Sequence, residues 1–342
     1  MIVILLRYLI CLKLSTNLTN IKYIRLTYIC KNYRIMQKIL LSLCLSFLFL
    51  KYNAQIPNVV SGRIERTADF KSQYVTPRNV DVWLPEGYSA SRKYAVLYMQ
   101  DGQMLYDPET TWNKQSWNVD DIVSDLIRNK KIQNTIVVGI WNDSKLRHLD
   151  YFPQKPFESL TATQKDTVRA QLTKSGRSDE IFSPNSDNYL KFLVKELKPF
   201  IDKKYSTCHD KEHTFIAGSS MGGLISMYAI CEYPDIFGGA ACLSTHWPGT
   251  FTLDNNPFPD SVLKYLSKNL PDSKTHKIYF DCGDQTLDAL YPEIQKRADQ
   301  IIAKAGFSET NWKTLYFPGE NHSEEAWNKR LAIPLEFLLK KK

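Results

Sequence analysis

A continuous apolar stretch at 214–217 runs into Gly218-Ser219-Ser220-Met221-Gly222-Gly223, and helical patterning starts directly behind it and stops before Pro234. The string fits G-x-S-x-G in the setting that gives it meaning, a sharp strand-to-helix turn. Small residues on either side let neighbouring backbone approach, and the hydroxyl of Ser220 projects above the end of a sheet. A chain built around such a turn needs a mainly parallel sheet with both faces covered by helices.

The remaining segments supply those elements. Stretches rich in Val, Tyr and Leu at 79–84 and 94–99, closed by Pro85 and Gly102, read as strands. Val119, Ile122, Val123, Leu126 and Ile127 repeat at helical spacing, and 135–140 returns to a β-branched run. Leu190, Leu193, Val194, Leu197 and Ile201 mark another helix. Strands are expected at 240–244, 277–282 and 312–317, helical patterning at 291–305, and a closing helix ending in Leu338 and Leu339. The expected fold class is α/β, with the active site beyond the C-terminal ends of the strands. Residues 142–188 break the alternation with Pro, Ser, Lys and aromatic residues, and read as an insertion over that site.

A formal net charge of +8 points to nucleic acid or acidic lipid only if it is spread along the chain. Residues 1–55 carry eight basic side chains and no acid, and the remainder balances at 36 basic against 36 acidic residues. A neutral body without a basic run gives no electrostatic case for nucleic acid. The leader, 1–54, reads as targeting sequence. Lys38 precedes a twelve-residue apolar run at 39–50, too short to span a bilayer and suited to a secretory signal at 36–54, with 1–35 as an upstream extension. Cleavage after Ala54 leaves a single domain at 55–342, secreted or periplasmic and without stable membrane association.

A serine hydroxyl is a weak nucleophile at neutral pH and needs an imidazole to take its proton and an acid to orient that imidazole. In a fold with this elbow the order is serine, acid, histidine, which removes His148, His209 and His213. His246 follows its strand too closely for an acid to intervene, and His276 precedes its strand. His322, in the loop at 318–322 after the last strand, is the expected base. The loop at 283–288 offers two carboxylates; Asp288 is favoured and Asp284 is the alternative. Backbone N–H groups of Met221 and Gln103 are the expected oxyanion donors. Trp247, Trp141 and Arg147 are candidate substrate contacts, with Arg147 either gripping an anionic group or forming a surface ion pair.

His209-Asp210-Lys211-Glu212-His213 fits H-x-x-E-H, yet the run lies between a helix and a strand, where the two histidines do not share a helical face. The four cysteines of the body, Cys208, Cys231, Cys242 and Cys282, lack metal-ligand spacing and read as core thiols. No metal and no cofactor is expected.

The stretches Asp101-Gly102-Gln103, Gly218 to Gly223, Gly283 to Asp288 and Gly319 to His322 together resemble the esterase D-like family of α/β-hydrolases, from about Val60 to the C-terminus. That family includes feruloyl and acetyl-xylan esterases, enterochelin esterases, S-formylglutathione hydrolases and mycolyltransferases. The resemblance implies an α/β-hydrolase fold and a serine esterase acting on a small-molecule or polysaccharide ester, such as an acylated carbohydrate or a siderophore. Gln100 and Met104 depart from the family's usual His-Asp-Gly-Gln-Asn, and Gly283-Asp284 from its common Gly-Thr pair. Acyl transfer to an alcohol and non-catalytic glycan binding are the alternative functions.

Overall fold

The computed structural model describes residues 55–177 and 181–341; the leader expected at 1–54 lies outside the described residues. Eight strands form one sheet: β1 (Arg63–Phe70), β2 (Arg78–Leu84), β3 (Ala95–Gln100), β4 (Thr135–Ile140), β5 (Thr214–Ser219), β6 (Gly239–Leu243), β7 (Lys277–Cys282) and β8 (Trp312–Tyr316). Their spatial order is β1-β2-β4-β3-β5-β6-β7-β8. β2 runs antiparallel to both β1 and β4, and every other neighbouring pair is parallel. Of the six parallel strands, β3 to β7 are buried and read as largely apolar runs because helices cover them on both sides, whereas β8 at the sheet edge is half-exposed.

Alternation along β3 divides the core. Ala95, Leu97 and Met99 face a layer made by α1 (Val119–Arg128) and, further on, α11 (Ala332–Leu339). Val96 and Tyr98 face the opposite layer, which five helices build together with buried residues of 142–188 such as Phe152, Val168 and Leu172. The five helices are α5 (Ser186–Lys191), α6 (Lys198–Lys204), α7 (Met221–Glu232), α8 (Phe258–Asn269) and α9 (Pro292–Lys304). A π-helical turn, Phe192–Leu197, joins α5 to α6.

Three elements differ from the expectation. β1 is half-exposed, with the sequence RIERTADF, and has no apolar run to announce it. It is anchored by paired hydrogen bonds from Arg66 to the buried Asp81 on β2, at 2.6 and 2.7 Å. α8 also had no counterpart in the reading of the sequence. Residues 142–188, read as irregular, contain α2 (Arg147–Tyr151), α3 (Gln154–Glu158) and α4 (Ala162–Lys174), the last opened by a capping box between Thr161 and Gln164. α2 and α3 have five residues each, and the segment packs by aromatics: Phe152 meets Phe157, Phe182 and Phe258, the last with ring centroids 4.2 Å apart.

α10 (Glu324–Arg330) docks its last residue into the sheet. Arg330 donates from Nη2 to Asp281 on β7 and to Ser244 Oγ, each at 2.9 Å, and both partners are fully buried. Removing the cation strands a buried carboxylate. Arg330→Met should therefore lower the free energy of urea unfolding by about 3–5 kcal/mol, whereas substitutions at the exposed Lys329 should leave it within about 0.5 kcal/mol.

Candidate active site

Ser220 stands between β5 and α7 at φ 57°, ψ −123°, a conformation costly for a residue with a Cβ. Three backbone bonds fix it there: Ser220 N–H to Leu243 O at 3.0 Å, His246 N–H to Ser220 O at 3.1 Å, and Leu224 N–H to Ser220 O at 3.0 Å. The glycines are steric necessities, since a Cβ on Gly218 would stand 2.7 Å from the Gly222 carbonyl group. Ser220 is 8% exposed, enough to be reached from solvent but surrounded by protein.

His322 and Asp288 come together. His322 Nδ1 lies 2.6 Å from Asp288 Oδ1. Asp288 is wholly buried, and its Oδ2 accepts from Gly283 N–H at 2.7 Å and from Ser244 Oγ at 2.6 Å. Ser244 Oγ in turn accepts from Trp327 Nε1 and Arg330 Nη2, both at 2.9 Å. The Trp327 ring meets His322 edge-on at 4.9 Å. Asp284, the alternative acid, is spent on loop structure: it accepts from Gly319 N–H at 2.9 Å, Gln285 Nε2 at 2.7 Å and the Tyr316 hydroxyl at 2.8 Å. Those bonds hold its carboxyl below the usual carboxylate range. Of the two carboxylates, only Asp288 is bonded to His322.

The loop after β3 closes the other side. Asp101 has φ 56°, and Gly102 and Gln103 open a 3-10 turn whose first amides lack partners within the turn. The turn is rigid: a Cβ on Gly102 would fall 2.5 Å from Gly139. Arg147 from α2 grips both oxygens of Asp101, at 2.8 and 2.7 Å, while Asn142 donates to Asp101 Oδ1 at 2.7 Å and to Gln103 Oε1 through its own amide at 3.2 Å. Burial pulls the guanidinium pKa down, but the Asp101 carboxylate outweighs it, so the guanidinium stays charged. The helix-terminal position of Met221 leaves its amide without an intrahelical acceptor.

Two expected substrate contacts are placed elsewhere. Trp247 is fully buried, its ring 5.5 Å from Phe280 and its Nε1 bonded to Gln295, because the turn after β6 folds the indole into the core. Trp141 donates to Asp81 at 2.8 Å and lies under Arg66 at 4.6 Å, so it belongs to the β1–β2 edge. Arg147 makes its ion pair with Asp101. Tyr291 and Phe251 carry no signal in the sequence, and His246 enters it only as a rejected base. Tyr291, directly before α9, packs edge-on against His322 at 5.8 Å. His246 bonds the Tyr291 phenol through Nδ1 at 2.7 Å, and Phe251, 37% exposed, packs between His246 and His148.

The His209–His213 run lies just before β5, at the end of the strand remote from Ser220. His213 Nδ1 is 2.5 Å from Asp210, and Cys208, Asp210 and His213 are the metal-type grouping found among the described residues. A cavity of about 620 Å³ opens at that same end between Lys93, His213, Phe215, Lys277 and Leu338, away from Ser220 and His322.

The elbow, the sheet order and the placement of Asp288 and His322 mark the class, and the comparisons agree: this is an esterase of the α/β-hydrolase fold. Residues 72–337 match the family described as "Putative esterase", and the chain belongs to it. It is 26% identical over 82% of its length to an endo-1,4-beta-xylanase/feruloyl esterase of Xylanibacter ruminicola, of which it spans 32%. Among solved structures it resembles a CE1 ferulic acid esterase of Anaeromyces mucronatus (TM-score 0.57, 19% identity, covering 85% of this chain and 95% of that one). It also resembles the enterobactin esterase FES of Shigella flexneri (TM-score 0.57, 16% identity, covering 83% and 61%). No helix among the described residues is long and apolar enough to cross a membrane.

His148 beside the site is buried against Gly249 O at 2.9 Å, and burial, with Arg147 and Arg177 nearby, brings its pKa down to about 4. The folded protein holds this imidazole neutral while the unfolded chain protonates near pH 6.5, so stability is complete above that pH and is lost as pH falls toward 4. Its share of the loss is about 3 kcal/mol. Urea unfolding at pH 7 and pH 4 should show His148→Gln losing less over that interval than the parent, by about this amount.

Proposed function

We propose that this esterase works through an acyl-enzyme in which Ser220 is the nucleophile, His322 the base and Asp288 the orienting acid. The observation that supports this reading is the 2.6 Å bond between His322 Nδ1 and the buried Asp288, at the sheet end where Ser220 is held at positive φ. An imidazole that donates Nδ1–H to a carboxylate leaves Nε2 as the free base. That nitrogen takes the Ser220 proton as Oγ attacks the ester carbonyl, and the amides of Met221 and Gln103 receive the oxyanion. Collapse expels the alcohol, protonated by His322; water then repeats the sequence and releases the acid.

The substrate we propose is an ester carried on carbohydrate. Two relatives are named for feruloyl ester hydrolysis and one for enterobactin, and the rim of the site adds a local argument. Trp112 is 83% exposed, in a loop tied to the start of α10 by Asn113 Nδ2 to Glu324 at 2.8 Å. Its sequence neighbours are polar: Thr110, Thr111, Asn113 and Lys114. A single indole set among polar groups suits a sugar ring, with its apolar C–H face and hydroxyl rim, better than a lipid chain, which needs a continuous apolar surface.

Ser220→Ala should reduce p-nitrophenyl acetate turnover to background; activity retained in a folded variant refutes the mechanism. Asp288→Asn should lower kcat by up to about 10⁴-fold, and Asp284→Asn by far less. Among methyl ferulate, acetylated xylan and enterobactin, the carbohydrate ester should give the highest kcat/KM. Trp112→Ala should raise KM on that polymer while leaving p-nitrophenyl acetate unaffected.

A further inference from the structure

We propose that Cys208, Asp210 and His213 form a binding site for zinc at the end of the sheet remote from Ser220.

The three residues follow the pattern C-x-D-x-x-H. One donor atom from each, a sulfur, a carboxylate oxygen and an imidazole nitrogen, lies within 4.8 Å of the other two. A tetrahedral zinc ion with bonds of about 2.0–2.3 Å holds such donors about 3.3–3.7 Å apart, so shifts of about 1 Å close the trio around it. The spacing of the cysteines alone points to no metal; the ligand pattern emerges only when the carboxylate and imidazole are counted with the thiol. It is also distinct from H-x-x-E-H, since neither His209 nor Glu212 takes part and the donors come from the loop between α6 and β5 rather than from one helical face. Cys208 differs from the other three cysteines of the described residues, which are buried: it is only half-buried, and an ion can reach it.

The main chain holds the donors in place without help from an ion. Cys208 N–H donates to Tyr94 O at 2.8 Å, and His213 N–H and Thr214 Oγ1 donate to Asp210 O at 3.3 and 2.8 Å. Between them, Lys198 Nζ donates to His209 O at 3.2 Å. A loop fixed in this way has little conformational freedom left to lose on binding. His213 Nδ1 stands 2.5 Å from Asp210 Oδ1, so the ion takes the place of the hydrogen between the two side chains.

The donors select the ion. Calcium and magnesium take oxygen ligands, whereas a thiolate combined with an imidazole and a carboxylate suits zinc. Lys93 and Lys277 line the cavity of about 620 Å³ that Cys208 and His213 also line. A cation held there by charge alone would be repelled, and the bond to sulfur supplies the affinity. On binding, the Cys208 thiol gives up its proton to solvent and forms the sulfur–zinc bond, with no change of oxidation state. Thiolate and carboxylate together then carry two negative charges against the two positive charges of the ion. The cavity admits water to the remaining coordination position. Because Ser220 lies beyond the other end of β5, ester hydrolysis does not depend on this site.

The test uses the full chain, reduced, stripped of metal and titrated with Co²⁺, whose absorption spectrum reports its ligands. One Co²⁺ per chain should bind, with a sulfur-to-cobalt charge-transfer band and the intense visible bands of a four-coordinate ion, and Zn²⁺ should displace it. Cys208→Ser should abolish the charge-transfer band. Loss of even an outer partner costs a metal site about tenfold in affinity, so His213→Ala and Asp210→Asn should each weaken binding at least that much. In the parent, Zn²⁺ should slow alkylation of Cys208 by iodoacetamide, read by mass spectrometry of its peptide. Turnover of p-nitrophenyl acetate should be unchanged in all three variants and after metal removal. If a variant misfolds and loses turnover, the parent's spectrum and alkylation rate decide the matter by themselves. A parent without the sulfur-to-cobalt band, a band that survives Cys208→Ser, unchanged affinity in folded His213→Ala and Asp210→Asn, or alkylation of Cys208 at the same rate with and without Zn²⁺ overturns the proposal.

Discussion

The structure at the end of the sheet depends on one buried carboxylate. Asp288 is fully enclosed, and its two oxygens accept from His322, Gly283 and Ser244. An unpaired charge there would be prohibitively costly, so the loops that carry those donors are bound to converge on it. Ser244 passes the constraint on through Trp327 and Arg330 to Asp281, which is how α10, the turn after β6 and the end of β7 become one polar network inside an apolar layer. The imidazole gains its fixed orientation from the same network.

How much of this was legible depends on whether a residue's role is local. The elbow at Ser220 and the parallel strands were readable, because a strained turn demands small neighbours and a doubly covered strand demands an unbroken apolar run. Asp288 could be narrowed to two candidates but not separated from Asp284 by sequence; the difference is that one side chain turns inward and the other is consumed by the Gly319 and Tyr316 contacts. β1 escaped notice because it is stabilised by Arg66 and Asp81 rather than by apolar burial. Trp247 and Trp141 follow β6 and β4 in the chain, yet one indole folds into the core and the other onto the β1–β2 edge, so position after a strand does not say which way an indole turns. Tyr291 and His246 become neighbours only when β6 and α9 pack together.

The insertion between β4 and α5 has a different character. Two of its helices are short, its core contacts are largely aromatic, and it meets the site at the turn that carries Gln103, where Arg147 pairs with Asp101 and Asn142 bonds both Asp101 and Gln103. It braces the β3 turn from outside without contributing to the Asp288 network.

A glycine makes the contrast concrete. A Cβ on Gly283 would stand 2.1 Å from the Glu320 carbonyl oxygen, so the segments bearing acid and imidazole touch main chain to main chain. Such a seam has no slack to absorb a substitution, and it moves as a unit or not at all. Anyone wishing to retarget this molecule would leave that seam untouched and alter exposed side chains on the other bank, keeping Arg147 and Asn142, which hold the turn after β3.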